Sequence, residues 1–107
     1  MGMTTWRNSI EAEMARCEES WSDIVAGCAQ PNARYDDREG PVVVWPSEAF
    51  TAEMDRKFDS GYGGEEGAHF TVWTAKRVYF PAGYDGSEWC GSVSRDPDGA
   101  PTAHVGG

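Results

Sequence analysis

The sequence predicts an α+β fold, with helices in the N-terminal half and an antiparallel sheet in the C-terminal half. Apolar residues between Trp6 and Cys28 recur at steps of three and four, which is the period of one helix face. Between His69 and Arg95, polar and apolar residues alternate in three short runs separated by turn residues. This alternation is typical of strands, in which successive side chains point to opposite faces.

The N-terminal apolar stripe predicts either one helix from about Thr5 to Ala29 or a pair of helices with a break near Ser20. Thr4 or Thr5 can cap the start, because a threonine hydroxyl accepts a hydrogen bond from an unpaired backbone N–H. Ser20 followed by Asp23 is a second cap-like signal. Acidic residues between the apolar positions are typical of a solvated helix face. They are Glu11, Glu13, Glu18 and Glu19.

The middle of the chain predicts a short strand and a second helical segment. Val42–Trp45 is rich in β-branched residues, so we expect a strand or a buried extended segment there. The segment from Ser47 to Phe58 has apolar residues at helical spacing, and Ser47 is a suitable cap. The glycine-rich segment 60–67 lacks the spacing of a phosphate-binding loop, so we interpret it as a connector.

The C-terminal alternation predicts three antiparallel strands, or four if Val42–Trp45 joins them. The face expected to form the core under the helices consists of Phe70, Val72, Val78, Phe80, Trp89 and Val93. The opposite face is expected to carry Trp73, Tyr79 and, next to the last turn, Tyr84. Two alternatives remain for this second face: it is open to a partner, or the N-terminal helix packs on it.

The composition limits the classes of partner. The chain has 107 residues, the size of one domain, and 39% of them are hydrophobic, which argues against disorder. Eighteen acidic residues oppose nine basic ones, for a net charge of −9. This charge repels nucleic acid and anionic membranes, so we expect neither as a direct partner and favour a basic protein surface. The longest apolar run, Val42–Trp45, is far too short to span a bilayer.

Other features of the sequence predict a cytosolic protein. Arg7 and Glu11 interrupt the N-terminus before any apolar run, so we expect no signal peptide. The three cysteines lack metal-like spacing and are interpreted as free thiols. We interpret residues 1–2 as an addition before Met3, and residues 96–107 as a flexible tail of the single domain.

No constellation of residues indicates an enzyme. The two histidines, His69 and His104, lie at a strand start and in the tail, and the paired carboxylates lie in loops. General acid–base catalysis needs a carboxyl group in a tuned, partly buried environment. Cys90 and His69 can lie on one sheet face, but their sequence context offers no activating group. We therefore expect no catalytic residue, no cofactor and no metal site.

Four segments between Phe58 and Pro97 form a recognisable pattern: FDSGYGG, FTVWT, VYFPAGYDGSEW and SVSRDP. The pattern resembles a family of small proteins encoded by bacteriophages and prophages. The resemblance implies an acidic accessory protein of a mobile element that acts in the cytoplasm of a bacterial host. It implies no catalytic residue. Proteins of this kind often block host defences, and anti-CRISPR proteins are among them.

The resulting hypothesis is a non-enzymatic inhibitor that binds a basic surface of a host protein or protein–RNA complex. Its most specific version is an anti-CRISPR protein that blocks the nucleic-acid-binding surface of a Cas protein, with acidic side chains as a DNA mimic and aromatic side chains as anchors. The alternative is a phage structural or regulatory protein that forms a homodimer through the aromatic sheet face. The candidate contact residues are Trp73, Tyr79, Tyr84, Asp85, Glu11, Glu18, Glu19, Asp36, Asp37, Glu65 and Glu66.

Overall fold

The described parts of the chain contain two α-helices, a one-turn 3₁₀ helix and seven strands. A computed structural model describes residues 3–31, 40–59, 67–84 and 87–106. The α+β class predicted from the sequence is confirmed, with helices ahead of the main hairpins. In chain order the elements are β1 (Met3–Thr5), α1 (Trp6–Arg16), a one-turn 3₁₀ helix (Trp21–Asp23), β2 (Ile24–Gln30), β3 (Val43–Val44), α2 (Glu48–Met54), β4 (Lys57–Asp59), β5 (His69–Thr74), β6 (Arg77–Tyr84) and β7 (Ser87–Ser94).

The strands form two antiparallel sheets. The larger sheet has the order β3-β2-β5-β6-β7, and β1 pairs with β4 in a separate two-stranded sheet. The three consecutive strands β5, β6 and β7 confirm the strands that the alternation between His69 and Arg95 predicted. In the described residues the larger sheet has five strands rather than three or four, because β2 lies between β3 and β5.

β2 occupies a segment for which the sequence predicted a helix ending near Ala29, and that prediction is wrong. Gly27 and Ala29 are buried on one face of the strand. A β-bulge between Ile24 and Ala26 brings a further buried residue to a spacing of three, which imitates a helical step. A Cβ on Gly27 would lie 3.0 Å from Cζ of Phe50, so the glycine allows α2 to pack closely on the strand.

α1 begins and ends with defined caps. At its start, Thr5 Oγ1 accepts a hydrogen bond from the backbone N–H of Asn8 at 3.0 Å, which confirms the predicted threonine cap. At its end the chain closes a Schellman motif, in which the N–H of Glu19 donates to the carbonyl oxygen of Met14 at 2.8 Å. Glu18 occupies the left-handed position of this motif, with φ of 60°. Glycine is the usual residue there because it has no Cβ.

Replacing Glu18 with glycine is expected to raise the free energy of unfolding by about 1 kcal/mol, because it relieves the left-handed strain. The matched control is Glu11→Gly, in the interior of the same helix, which should lower it by about 1 kcal/mol. Urea unfolding followed by circular dichroism measures both. A destabilised Glu18→Gly variant would contradict the strain assigned to this position.

Two further caps predicted from the sequence are present. The backbone N–H of Ser20 donates to Asp23 Oδ2 at 2.8 Å and opens the 3₁₀ turn that follows α1. Ser47 Oγ accepts from the backbone N–H of Phe50 at 3.0 Å and begins α2. Short polar side chains therefore mark these two starts, as their capping propensity predicts.

α2 is shorter than predicted, because it ends at Met54 and does not reach Phe58. Phe58 lies instead in β4, opposite Thr4 of β1, and its side chain is buried. Phe58 follows the helical spacing because it is buried on the same side of the molecule as the helix residues. A short strand, rather than another helical turn, brings it there.

Both helices pack on one face of the five-stranded sheet. Trp6, Ile10 and Met14 of α1 and Phe50 and Met54 of α2 are all buried in a single core cluster. The residues of this sheet in the cluster are Ile24, Ala29, Phe70, Val72, Tyr79 and Cys90. The fold therefore has a helical layer on one side of the sheet, and the other side defines the candidate site.

The helices are short. α1 has 11 residues and α2 has seven. Among the described ranges, no helix combines the length and apolar character that crossing a bilayer requires.

Candidate binding face

The register between β5 and β6 decides which side chains share a face of the sheet. Val72 pairs with Tyr79, and Trp73 pairs with Val78. Even-numbered residues of β5 therefore lie beside odd-numbered residues of β6. The predicted core residues of β5 lie on the core face. The predicted core residues of β6 and β7 point to the other face, so that part of the prediction is wrong. An even number of residues lies between Thr74 and Arg77. The side chains of β6 therefore point to the faces opposite to those predicted.

The face opposite the helices, called the open face below, is aromatic and aliphatic. About a quarter of all residues in the chain are charged, yet no Asp, Glu, Lys or Arg is among the described strand residues that point to this side. The strand residues of the open face are Ala26, Cys28, Gln30, Val44, His69, Thr71, Trp73, Val78, Phe80, Ala82, Tyr84, Ser87, Trp89, Gly91 and Val93.

No helix or strand of the described residues covers the open face. The smallest extent of the Cα trace is 19 Å, which suits one helical layer on one sheet, since a further layer would add about 10 Å. The side chains of Tyr84 and Trp89 are 63% and 37% exposed. The C-terminal segment touches β6 near the end of this face, where a Cβ on Gly106 would lie 2.6 Å from the Gly83 carbonyl oxygen. Of the two alternatives for this face, packing of the N-terminal helix is excluded.

A cross-strand pair organises the centre of the open face. Phe80 of β6 lies opposite Gly91 of β7. A Cβ on Gly91 would lie 2.8 Å from Cε1 of Phe80, so the ring lies directly over the glycine. This arrangement shields the backbone of β7 and keeps the ring flat against the sheet. At the centre of the face, an aromatic ring therefore lies against the backbone of the neighbouring strand.

Tyr79 lies on the helical side, so its prediction as a surface anchor is wrong. Its side chain is 0% exposed, and its hydroxyl donates to Glu19 Oε1 at 2.5 Å. The same carboxylate oxygen accepts from Thr74 Oγ1 at 3.0 Å. Burial raises the pKa of Tyr79 above its ordinary value of 10.0, and the hydrogen bond to Glu19 and its charge add to this. Glu19 therefore holds the end of α1 on the sheet instead of facing a partner.

A second polar chain lies beside Tyr79, between α1 and the outer strands. Ser92 Oγ donates to Glu13 Oε2 at 2.7 Å, and the Arg77 guanidinium donates to Ser92 Oγ through Nε at 3.1 Å and Nη2 at 3.0 Å. Glu13 is also paired with Arg16 at 2.6 Å. These bonds satisfy polar groups that α1 would otherwise bury without partners.

The remaining predicted contacts separate into three groups. Trp73, half-buried, and Tyr84, exposed, lie on the open face. Glu11 and Glu18 are exposed on the helical layer, which faces the opposite direction, and Glu11 pairs with Arg7 at 3.5 Å. The predicted contacts that fall outside the described residues are Asp36, Asp37, Glu65, Glu66 and Asp85.

Cys90 and His69 lie on opposite sides of the sheet. Cys90 is buried in the core, and burial raises the pKa of its thiol, with the charge of Glu13 adding to the effect. His69 is exposed at the start of β5, on the open-face side. The pair considered for nucleophilic chemistry is therefore not formed.

Sequence reasoning missed Phe80 and Trp89 as surface residues because it placed them in the core. The signal that identifies them is the length of the turn between β5 and β6. Turns with an even and with an odd number of residues place the side chains of the next strand on opposite faces of the sheet. The chain matches no protein-family model, no curated protein and no solved structure. The resemblance to phage proteins over Phe58–Pro97 stays a prediction.

Proposed function

We propose that the protein acts by binding another protein through the open face, as a non-enzymatic inhibitor of a bacterial host's defence complex. The most specific version is an anti-CRISPR protein that covers a nucleic-acid-binding surface of a Cas protein. The observation that carries the proposal is the open face itself, an aromatic surface with no charged side chain among its described strand residues, in a chain of net charge −9.

Aromatic residues suit this role because they bury a large area at little entropic cost. Trp and Tyr are enriched among the residues that dominate protein–protein binding energy. Trp89, Tyr84 and Trp73 lie on β7, β6 and β5, which are neighbours in the sheet. They form a row of anchors across three strands, and the Phe80–Gly91 pair lies among them.

The negative charge acts at long range in this proposal. Glu11 and Glu18 lie on the helical layer. A partner bound to the open face therefore does not contact them and the aromatic anchors through one surface. Net charge still steers a protein toward a basic partner before contact. Raising the ionic strength should therefore slow association and leave the dissociation rate nearly unchanged.

Substitution on the open face tests the proposal. The double variant Trp89→Ser/Tyr84→Ser is expected to bind the partner at least tenfold more weakly, because both anchors are lost. The matched control is Met3→Ser, since Met3 is an exposed apolar residue of β1, outside the open face. The partner is captured from a bacterial lysate, identified by mass spectrometry, purified, and measured by biolayer interferometry. Thermal unfolding of both variants verifies that they fold.

Two results would contradict the proposal. Equal affinity of the wild-type protein and the double variant would remove the open face as the contact. A purified partner that binds its nucleic acid equally well with and without saturating inhibitor would remove the blocking role.

A second candidate function is self-association through the same face. Because the described strand residues of this face carry no charge, two copies of an acidic chain can meet there without like charges in contact. Sedimentation equilibrium separates the two candidates. A wild-type dimer that becomes monomeric in Trp89→Ser/Tyr84→Ser favours the homodimer, whereas a wild-type monomer excludes it.

A further inference from the structure

We propose that a cleft at one end of β6 and β7 binds a carboxylate group through Arg77 and Arg95. The cleft has a volume of about 500 Å³, and the first residues of the C-terminal segment form its outer wall. The cleft borders the open face at Val93, and it does not depend on the function proposed for that face.

The two guanidinium groups are held in place by neutral oxygens. Arg77 donates from Nε and Nη2 to Ser92 Oγ, and Arg95 donates from Nη1 to the carbonyl oxygen of Thr74 at 2.8 Å. A guanidinium has five N–H donors, so each arginine keeps donors that no acceptor of the described residues uses. Fixed orientation with free donors is what fork-like binding of a carboxylate requires.

Neither arginine is neutralised by direct contact with a carboxylate of the described residues. No carboxylate oxygen of the described residues lies within 4.0 Å of either guanidinium. The three other described arginines all have such partners, at 3.5 Å for Arg7, 2.6 Å for Arg16 and 3.0 Å for Arg56. In a chain with twice as many acidic as basic residues, two arginines in one cleft that form no ion pair with a described residue indicate a place for an external anion.

The charges around the cleft favour a singly charged group. Asp96 and Asp98 also line it, and Asp98 Oδ1 is occupied by the backbone N–H of Ala100 at 2.9 Å. Glu13 lies behind Arg77, on the far side of Ser92. These carboxylates offset much of the positive charge, so a monoanionic carboxylate fits better than a doubly charged phosphate. The volume exceeds that of acetate and admits the end of a peptide chain.

NMR titration of the ¹⁵N-labelled full-length protein tests the site. Sodium acetate, added at constant ionic strength against sodium chloride, is expected to shift the amide signals of residues 92–96 and 98 with saturation. Arg95→Gln should weaken this binding at least tenfold. Arg77→Lys should also weaken it, because lysine keeps the charge and loses the fork. The matched control is Lys57→Gln on β4, an exposed residue away from the cleft, which should bind acetate like the wild type.

Two further arms assign the source of the carboxylate. Acetyl-dialanine with a free C-terminus, compared with its C-terminal amide, distinguishes a peptide end from a small carboxylic acid. If the free peptide binds more tightly than acetate and the amide does not bind, the ligand is a peptide end. If the free peptide and acetate bind equally, the ligand is a small acid. Shifts that rise linearly without saturation, saturation by phosphate but not by acetate, or unchanged binding in Arg95→Gln would each overturn the site. Arg95 is exposed, so its variant gives a result even if Arg77→Lys does not fold.

Discussion

Replacing Trp6 with alanine is expected to lower the free energy of unfolding by about 3–5 kcal/mol. Trp6 is 1% exposed at the first position of α1. Its ring centroid lies 5.0 Å from that of Phe58 and 4.8 Å from that of Phe70. Its indole N–H donates to the carbonyl oxygen of Ala68 at 2.9 Å. The alanine variant loses this packing and leaves a buried acceptor without its donor.

The expected loss is large relative to the stability of a small domain, which is typically about 5–15 kcal/mol. We expect the melting temperature to fall by more than about 10 °C. The control is Trp89→Ala, the same substitution on the open face, which should cost about 1 kcal/mol or less because the side chain is partly solvated. Urea unfolding followed by far-UV circular dichroism avoids dependence on the removed fluorophore. Equal losses in the two variants would contradict the assignment of core and open face.

Gly67 provides an independent measurement of the same packing. A Cβ there would lie 2.6 Å from Nε1 of Trp6, so Gly67→Ala is expected to destabilise the protein by about 1–3 kcal/mol. In the Trp6→Ala background the clash disappears, and the second substitution should cost much less. A double-mutant cycle measures this coupling. Additive losses would show that Gly67→Ala acts through the backbone rather than through the indole.

The sequence predicts the local elements of this fold better than the relations between them. Ser47 and Thr5 are identified as caps because capping depends on residues within one turn. β2 is missed because Gly27 and a preceding bulge produce a helix-like spacing. Its identity as a strand comes from pairing with β5, whose residues lie about 40 to 50 positions later in the sequence. Long-range pairing of this kind leaves little trace in a local pattern.

The candidate site shows the same limit. Phe80 and Trp89 are apolar and alternate correctly, so nothing within their own strands distinguishes a core face from an open face. Tyr79 is predicted on the surface but is buried in the core. A shift of one residue in register moves all side chains of a strand to the other face of the sheet. The open face therefore becomes visible only when β5 and β6 are aligned, with Val72 opposite Tyr79.

Replacing Glu19 with alanine is expected to lower the free energy of unfolding by about 2–4 kcal/mol, because one carboxylate oxygen accepts from both Tyr79 and Thr74. The buried tyrosine hydroxyl would lose its acceptor. Glu11→Ala is the control, since its ion pair with Arg7 is exposed and should be worth at most about 0.5 kcal/mol. The double variant Glu19→Ala/Tyr79→Phe should be more stable than the sum of the single losses implies, because it removes donor and acceptor together. A strictly additive cycle, or equal losses for Glu19→Ala and Glu11→Ala, would contradict this role.

Alkaline pH tests the same contact without changing the carboxylate. In the unfolded chain Tyr79 loses its proton around its ordinary pKa of 10.0, whereas in the folded protein burial and Glu19 raise its pKa and retain the proton. The folded state then binds more protons than the unfolded state, so this contribution to stability is complete below pH 10 and is lost as pH rises above it. The limiting slope is about 1.4 kcal/mol per pH unit. The raised pKa of Cys90 adds a similar loss from about pH 9 in every variant and cancels in the comparison. Between pH 9.5 and 11, Tyr79→Phe should therefore lose stability less steeply than the wild type in urea unfolding, and parallel slopes would show that the hydroxyl is not held protonated by Glu19 and the core.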